Sequence, residues 1–272
     1  MAMFTEIHPT EALKPYVKRF YFYEASSDLA FHDVVFPSGN MEIIFNLGNG
    51  CWKTKKEDTF QTTPAIELWG QLTKPLVIQS VGKNCMLGVR FYPHSAAYFF
   101  RENVSLFNND VMDGAEVFGP AIKTLHALLL DLTSLEDRIL QLETYLLSQL
   151  ILPKKKYSKI KFVEEIAKGL RSNASEERIG SFSERHKISS RYLHQLFSQY
   201  TGLTPKLFCK INRFQHSLNL MQNQGQKLTS VGYDSGYFDQ SHFIREFKLF
   251  TGTTPTSFST QATPINQILS NV

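Results

Sequence analysis

The chain has 272 residues, of which 42% are hydrophobic and 20% charged, and a net charge of +4. That balance excludes a disordered or fibrous chain, and the length allows two domains of ordinary size. No apolar run approaches the roughly eighteen residues of a membrane span, and the opening MAMFTEIHPTEALKPYV lacks the basic start and apolar core of a secretory signal.

Cys51, Cys85 and Cys209 are odd in number and widely spaced, so they make neither a metal-binding pair nor a disulfide framework. A reducing cytoplasm is the expected compartment. Charge is uneven: residues 1–156 carry 15 Lys and Arg against 17 Asp and Glu, and residues 157–272 carry 14 against 8. A basic C-terminal part on a near-neutral N-terminal part is the electrostatic footprint of a nucleic-acid binder with a second function.

In chain order, the first elements read as β. In PSGNMEIIFNLGNG (37–50), Met41, Ile43, Phe45 and Leu47 alternate with other residues between turn signals, and a second extended run covers 77–93. From about 112 to 152 the period becomes helical. Leu135, Ile139, Leu142 and Leu146 share one face, and Thr133 with Glu136 is placed to form a capping box. PKKKYSK (153–159) marks a domain boundary, with 153–158 as the linker. About seven helices are predicted after it. The fold class is α+β in two domains: a mainly β domain with added helices at 1–152, and an all-α domain at 159–272.

The all-α part repeats itself. FSQYTGLTPKLF (197–208) returns fifty residues later as FKLFTGTTPTSF (247–258). Each copy is helix punctuation. Gly202 and Gly252 suit the left-handed residue that closes a helix, Thr204 and Thr254 the cap of the next one, and Pro205 and Pro255 its first turn. The helix before each copy has one apolar face, Leu193, Leu196, Phe197 and Tyr200 in the first and Phe243, Phe247 and Phe250 in the second. The opposite faces carry Arg191, His194, Gln195, Ser198 and Gln199, with Ser189 as cap, and then Gln240, Ser241, His242, Arg245 and Lys248. Arg suits guanine O6/N7 and Gln suits adenine N6/N7. A short helix, a tight turn and a second helix armed this way form a helix-turn-helix pattern, here about 176–202 and 227–252.

Over about 160–260 the chain resembles the AraC/XylS-type bacterial transcriptional regulators. The residues that carry the resemblance are Gly236, Tyr237, Asp239, Gln240, Ser241, Phe243, Arg245, Phe247, Lys248, Gly252, Thr254 and Pro255, with SSRYLHQLFSQYTGLTPKLF and Arg213 in the first copy. The resemblance implies two helix-turn-helix units joined by a long helix at about 205–223, reading successive major grooves of double-stranded DNA. By position it makes Arg191, His194, Gln195 and Gln199 the base readers of the first unit, and Gln240, Ser241, His242 and Arg245 those of the second. Ser183 and Gly232 stand where the family usually has alanine, and His186 and Lys187 replace its leucine and turn glycine, so looser scaffolding helices are expected.

The N-terminal part resembles an uncharacterised domain of some such regulators and looks related to small cupin-like barrels. That implies a small-molecule effector, dimerisation, or both. Trp69, Arg90 and Tyr92 are the candidate effector residues, with Glu42 and Asn46 further off; the alternative is that Trp69 is barrel core and Arg90 a structural ion pair. The helix at 134–152 is the candidate homodimer seam, the alternative being that its stripe packs against its own β domain, and RNA polymerase is a further candidate partner. His8, His32 and His94 make no metal pattern, no nucleophile–base pair stands out, and no cofactor, catalytic residue or membrane partner is expected. Two rivals remain: an enzymatic N-terminal domain using a reactive cysteine, and a C-terminal domain that binds protein instead of DNA.

Overall fold

The computed structural model describes residues 2–25, 31–150, 154–172, 177–222 and 227–258. Ten strands come first: β1 (Ala2–Ile7), β2 (Val17–Ala25), β3 (Phe31–Val35), β4 (Glu42–Asn46), β5 (Cys51–Lys56), β6 (Thr59–Thr62), β7 (Ile66–Trp69), β8 (Leu76–Val81), β9 (Cys85–Phe91) and β10 (Val111–Asp113). They form a six-stranded sheet in the order β1-β2-β9-β4-β7-β10 and a four-stranded sheet in the order β3-β8-β5-β6.

The alternation read in the sequence sorts side chains between two cores. On the six-stranded sheet, Phe20, Phe22, Ile43, Phe45, Leu87 and Val89 join the core that runs on into the helices. Tyr21, Tyr23, Ile44, Trp69 and Met86 point the other way, where Val35, Trp52 and Ile78 of the smaller sheet meet them. Successive residues face opposite sides of a strand, so a sheet covered on both faces must be apolar at nearly every position. That is why β4 is buried throughout except at Asn46.

Three helices follow: α1 (Gly114–Phe118), α2 (Pro120–Asp131) and α3 (Leu135–Gln149). The cap of α3 is Ser134, one residue later than expected, and its Oγ accepts from the Asp137 backbone N–H at 3.2 Å. Leu142 and Leu146 are buried and Leu135 and Ile139 pack beside them. The Thr10 backbone N–H donates to Glu143 Oε1 of the same helix at 2.7 Å. The predicted dimer stripe therefore packs on its own domain, because the six-stranded sheet has an apolar face to cover. Leu140 and Leu147 are the leucines of α3 left exposed.

The helical part holds α4 (Lys154–Ser172), α5 (Glu177–Arg185), α6 (Ser190–Thr201), α7 (Pro205–Gln222), α8 (Leu228–Asp234) and α9 (Gln240–Thr251). The charge run expected as a linker is the first turn of α4, where Lys156 Nζ bonds the Phe100 carbonyl of the β domain. Residues 151–153 and 259–272 lie outside the described residues. The second TP motif starts a turn at Thr254–Ser257, not a helix. The replaced turn glycine is Lys187, which itself takes φ +52°, and His186 stands against Phe162 and Phe182. Ser183 is buried, with Ser190 Oγ at 3.3 Å.

The two parts share one core. Gln215 Nε2 of α7 donates to the Pro37 carbonyl at 2.6 Å, Asn108 Nδ2 donates to the Gly202 carbonyl at 2.6 Å, and Phe36 stands edge-on to Phe214 at 6.3 Å. This joint makes the repeated glycines unequal. Both are left-handed, φ +77° at Gly202 and +80° at Gly252. A Cβ at Gly252 would meet nothing within 4 Å, whereas one at Gly202 would lie 2.6 Å from Asn108 Oδ1. Gly252→Ala is expected to cost about 1–2 kcal/mol, the strain of the left-handed conformation. Gly202→Ala is expected to cost distinctly more, because it also forces the joint apart. Urea unfolding of both variants checks this; equal losses would mean that the joint yields freely.

Candidate nucleic-acid interface

The helices α6 and α9 are built alike. Ser189 Oγ accepts from the Tyr192 N–H at 3.2 Å, and Asp239 Oδ1 from the His242 N–H at 2.7 Å, so each has a side-chain N-cap. Each ends on its left-handed glycine. Leu193, Leu196, Phe197 and Tyr200 are buried on α6, as are Phe243, Phe247 and Phe250 on α9. The apolar faces fix how far each helix rotates, and so which side chains face outward.

Arg191 and Gln195 are exposed on α6, and Gln240, Ser241, Arg245 and Lys248 on α9. Three candidates stand differently. His194 is half-buried. Gln199 is half-buried in a groove shared with Arg101, Glu102, Asn103, Lys156 and Lys159, at the joint with the β domain. His242 leans inward, edge-on to Tyr237 at 5.3 Å, with its Nε2 3.5 Å from Glu246.

Glu246 is the acidic residue of α9, and it is buried. Arg213 of α7 grips it through Nε and Nη2, with three contacts of 2.9–3.1 Å, while stacking over Tyr237 at 4.9 Å. The outward faces of α6 and α9 therefore show donors and no exposed carboxylate. This pair was missed in the sequence, although an acid beside Phe243, Phe247 and Phe250 on one face signals a buried partner. Val231 and Gly232 of α8 are buried in support; a Cβ on Gly232 would meet Phe243 only at ordinary contact distance.

In the β domain, the candidate effector residues separate. Trp69 lines a cavity of about 40 Å³ between the two sheets, with Tyr21, Tyr23, Trp52 and Glu42. Arg90 is fully buried and paired with Glu42 through Nε and Nη2, both at 2.9 Å, so it is a structural ion pair. Tyr21 donates to the other Glu42 oxygen at 2.6 Å. Tyr92 lies elsewhere, stacked on His94 at 6.0 Å. Burial pushes the His94 imidazole down to about 4 although Glu164 is 3.8 Å away. Asn46 serves its turn, donating to the Gly50 carbonyl at 2.7 Å. Among the described residues no group of three His, Cys, Asp or Glu is placed to hold a metal ion, and no helix is long and apolar enough to cross a membrane.

Residues 5–113 match a domain of unknown function (DUF6597), and residues 182–261 match a helix-turn-helix domain. The HTH-type transcriptional activator RhaS of Pectobacterium carotovorum is 29% identical over 101 residues, covering 37% of this chain and 36% of that protein. The uncharacterized HTH-type transcriptional regulator YidL of Escherichia coli is 35% identical over 69 residues, 25% of this chain and 23% of that protein. The chain thus matches little more than a third of these relatives' length or less. Among solved structures, ToxT from Vibrio cholerae aligns with a TM-score of 0.46 at 12% identity, over 92% of this chain and 97% of that one. The AraC-like transcriptional activator CuxR aligns with a TM-score of 0.29 at 12% identity, over the whole of both chains. The helix-turn-helix match falls on the segment that carries α6, α9 and the doubled TG-x-TP signature, and the C-terminal part of this chain is a helix-turn-helix domain.

Proposed function

We propose that the protein is a cytoplasmic, sequence-specific DNA-binding transcription regulator. The observation that carries the reading is the pair of candidate recognition helices, α6 and α9, capped alike and with no exposed acid between cap and closing glycine. Between them α7, of 18 residues, is about 27 Å long, on the scale of the roughly 34 Å between successive major grooves. Lys and Arg contacts to phosphates supply salt-sensitive affinity, and Arg191, Gln195, Gln240, Ser241 and Arg245 supply sequence. His194, Gln199, His242 and Lys248 flank those readers. The β domain holds a small-molecule effector in the cavity at Trp69. A homodimer forms over the outer face of α3, at Leu140 and Leu147, and doubles the DNA contacts. The DNA-bound dimer contacts RNA polymerase.

The test is selection of DNA from a random pool by the full chain, with Arg191→Ala and Arg245→Ala beside it. The expected motif has two blocks about one helical turn apart. Each substitution relaxes one block and costs about 1–3 kcal/mol on the selected site. Absence of a motif at every salt concentration overturns the reading and turns the search to protein partners. Thiol transfer at Cys85 has little support, since burial raises its thiol above the ordinary value and lowers the fraction present as thiolate.

A further inference from the structure

The cavity between the sheets has a chemistry of its own. Trp52 and Trp69 stand edge to face at 6.4 Å, with Tyr21 and Tyr23 beside them. Such walls select flat rings. Two buried polar atoms of lining residues have no hydrogen-bond partner among the described residues: Trp52 Nε1 and Asn40 Oδ1. Both side chains are about nineteen-twentieths buried, at 4% and 5% exposure. The indole N–H only donates and the amide oxygen only accepts. The Asn40 amide is oriented by its own Nδ2, which donates to the Ser38 carbonyl at 3.2 Å. An occupant that satisfies both atoms must offer an acceptor and a donor.

Charge narrows the class. Glu42 lines the cavity, but Arg90 and Tyr21 already satisfy it, so a cation gains little there. An anion would face Glu42 and, above about pH 7, also Glu67, which lies behind Trp69 and whose Oε2 accepts from Trp69 Nε1 at 2.5 Å. A neutral occupant avoids both costs.

Size then says what must move. The free room of about 40 Å³ exceeds the roughly 10–15 Å³ of one water but falls short of the ~150 Å³ cavity that takes benzene. A ring enters only if a wall yields. Most of the wall is hydrogen-bonded strand. The exceptions are Gly70 and Leu72, just after β7, and the strap 36–40, between β3 and β4, which puts Phe36, Ser38 and Asn40 on the cavity and is the part that α7 backs. Its other side holds α7: Gln215 bonds the Pro37 carbonyl, and Phe36 meets Phe214, which packs on Phe247 and Phe250 of α9.

We propose that this cavity binds a small, flat, neutral aromatic molecule with an amide-like edge, its acceptor toward Trp52 Nε1 and its donor toward Asn40 Oδ1, and that the strap 36–40 relays its entry to α7. This deepens the effector reading above and rests on it. The route couples the occupant to both helix-turn-helix units, since α7 joins them and Phe214 touches α9.

The chain has two tryptophans, and both line the cavity, so tryptophan emission of the full-length protein reports binding without DNA. The probes are benzamide, benzoate and benzylamine. Benzamide is expected to give a saturable change at concentrations about tenfold below those the two charged analogues need. Asn40→Ala and, read through Trp69, Trp52→Phe are each expected to weaken benzamide by about fivefold or more, as loss of a buried hydrogen bond implies. Gln215→Ala, which removes the strap's hydrogen bond to α7 and leaves the Phe36–Phe214 contact, is expected to tighten benzamide by several-fold. No saturable change, or equal binding of the three probes, overturns the ligand class. An unchanged affinity in Asn40→Ala and Trp52→Phe overturns the assigned contacts, and one unchanged in Gln215→Ala overturns the relay. A selected DNA motif without benzamide binding removes this inference and leaves the regulator reading; benzamide binding without a motif does the reverse.

Discussion

Glu246→Ala is expected to lower stability by about 3–5 kcal/mol, the cost of leaving a buried charge without its partner. Arg213 has a side-chain exposure of 11% and Glu246 of 3%, so water cannot replace the lost carboxylate. Lys210 at 3.8 Å and His242 at 3.5 Å also face that carboxylate, and its removal leaves three cationic or polarisable groups around an empty position. The pair ties α7 to α9, so the variant is also expected to loosen the second block of the selected DNA motif. Urea unfolding of the full chain measures the first effect and DNA selection the second. A double replacement, Glu246→Leu with Arg213→Met, should recover much of the stability, because apolar side chains of similar volume need no charge partner. A loss below about 1 kcal/mol in Glu246→Ala would place the pair in the class of solvated surface bridges and contradict its burial.

Glu67 carries the second large effect, through pH. It is fully buried on β7, and burial pushes its carboxyl from the ordinary 4.5 up to about 7, against the opposing hydrogen bonds from Thr63 and Trp69. The folded state thus keeps a proton that the unfolded chain releases above 4.5. Stability from this group is complete below that value and is lost as pH rises through about 7. The total change amounts to about 3 kcal/mol. Glu67→Gln keeps the shape and removes the titration. It should match the natural protein near pH 4 and exceed it at pH 8 by up to about 3 kcal/mol. Unfolding midpoints across that range check it; parallel pH profiles for the two proteins would show that Glu67 titrates normally.

The helical half was the more legible in sequence. Its caps follow from local chemistry: a Ser or Asp before each recognition helix, a glycine after it, and phenylalanines every three or four residues. The structure places Ser189, Asp239, Gly202 and Gly252 in those roles. The runs 37–50 and 77–93 were legible as strands, but their partners were not, because the order β1-β2-β9-β4-β7-β10 joins segments more than seventy residues apart, as at Val17 and Phe91. The cavity was half visible. Trp69 and Glu42 were picked out for their chemistry, and of the two readings of Arg90 the structure shows the buried ion pair, whereas Tyr92 lies on a different face. Asn40, Trp52 and the strap between them and α7 carried no local pattern.

The sequence by itself determined that two similar helices each end on a left-handed glycine, and which apolar residues they bury; it placed Arg191, Gln195, Gln240, Ser241, Arg245 and Lys248 outward correctly, but not His194, Gln199 or His242. Those properties depend on neighbours within a turn or two of the chain. Only the tertiary structure decided that the charge run is a helix packed against the β domain, that the leucines of α3 cover their own sheet, and that Gly202 is clamped by Asn108 while Gly252 stands free. Each of these depends on apolar surface or a hydrogen-bonding group supplied from far along the chain, and no local periodicity encodes which distant segment supplies it.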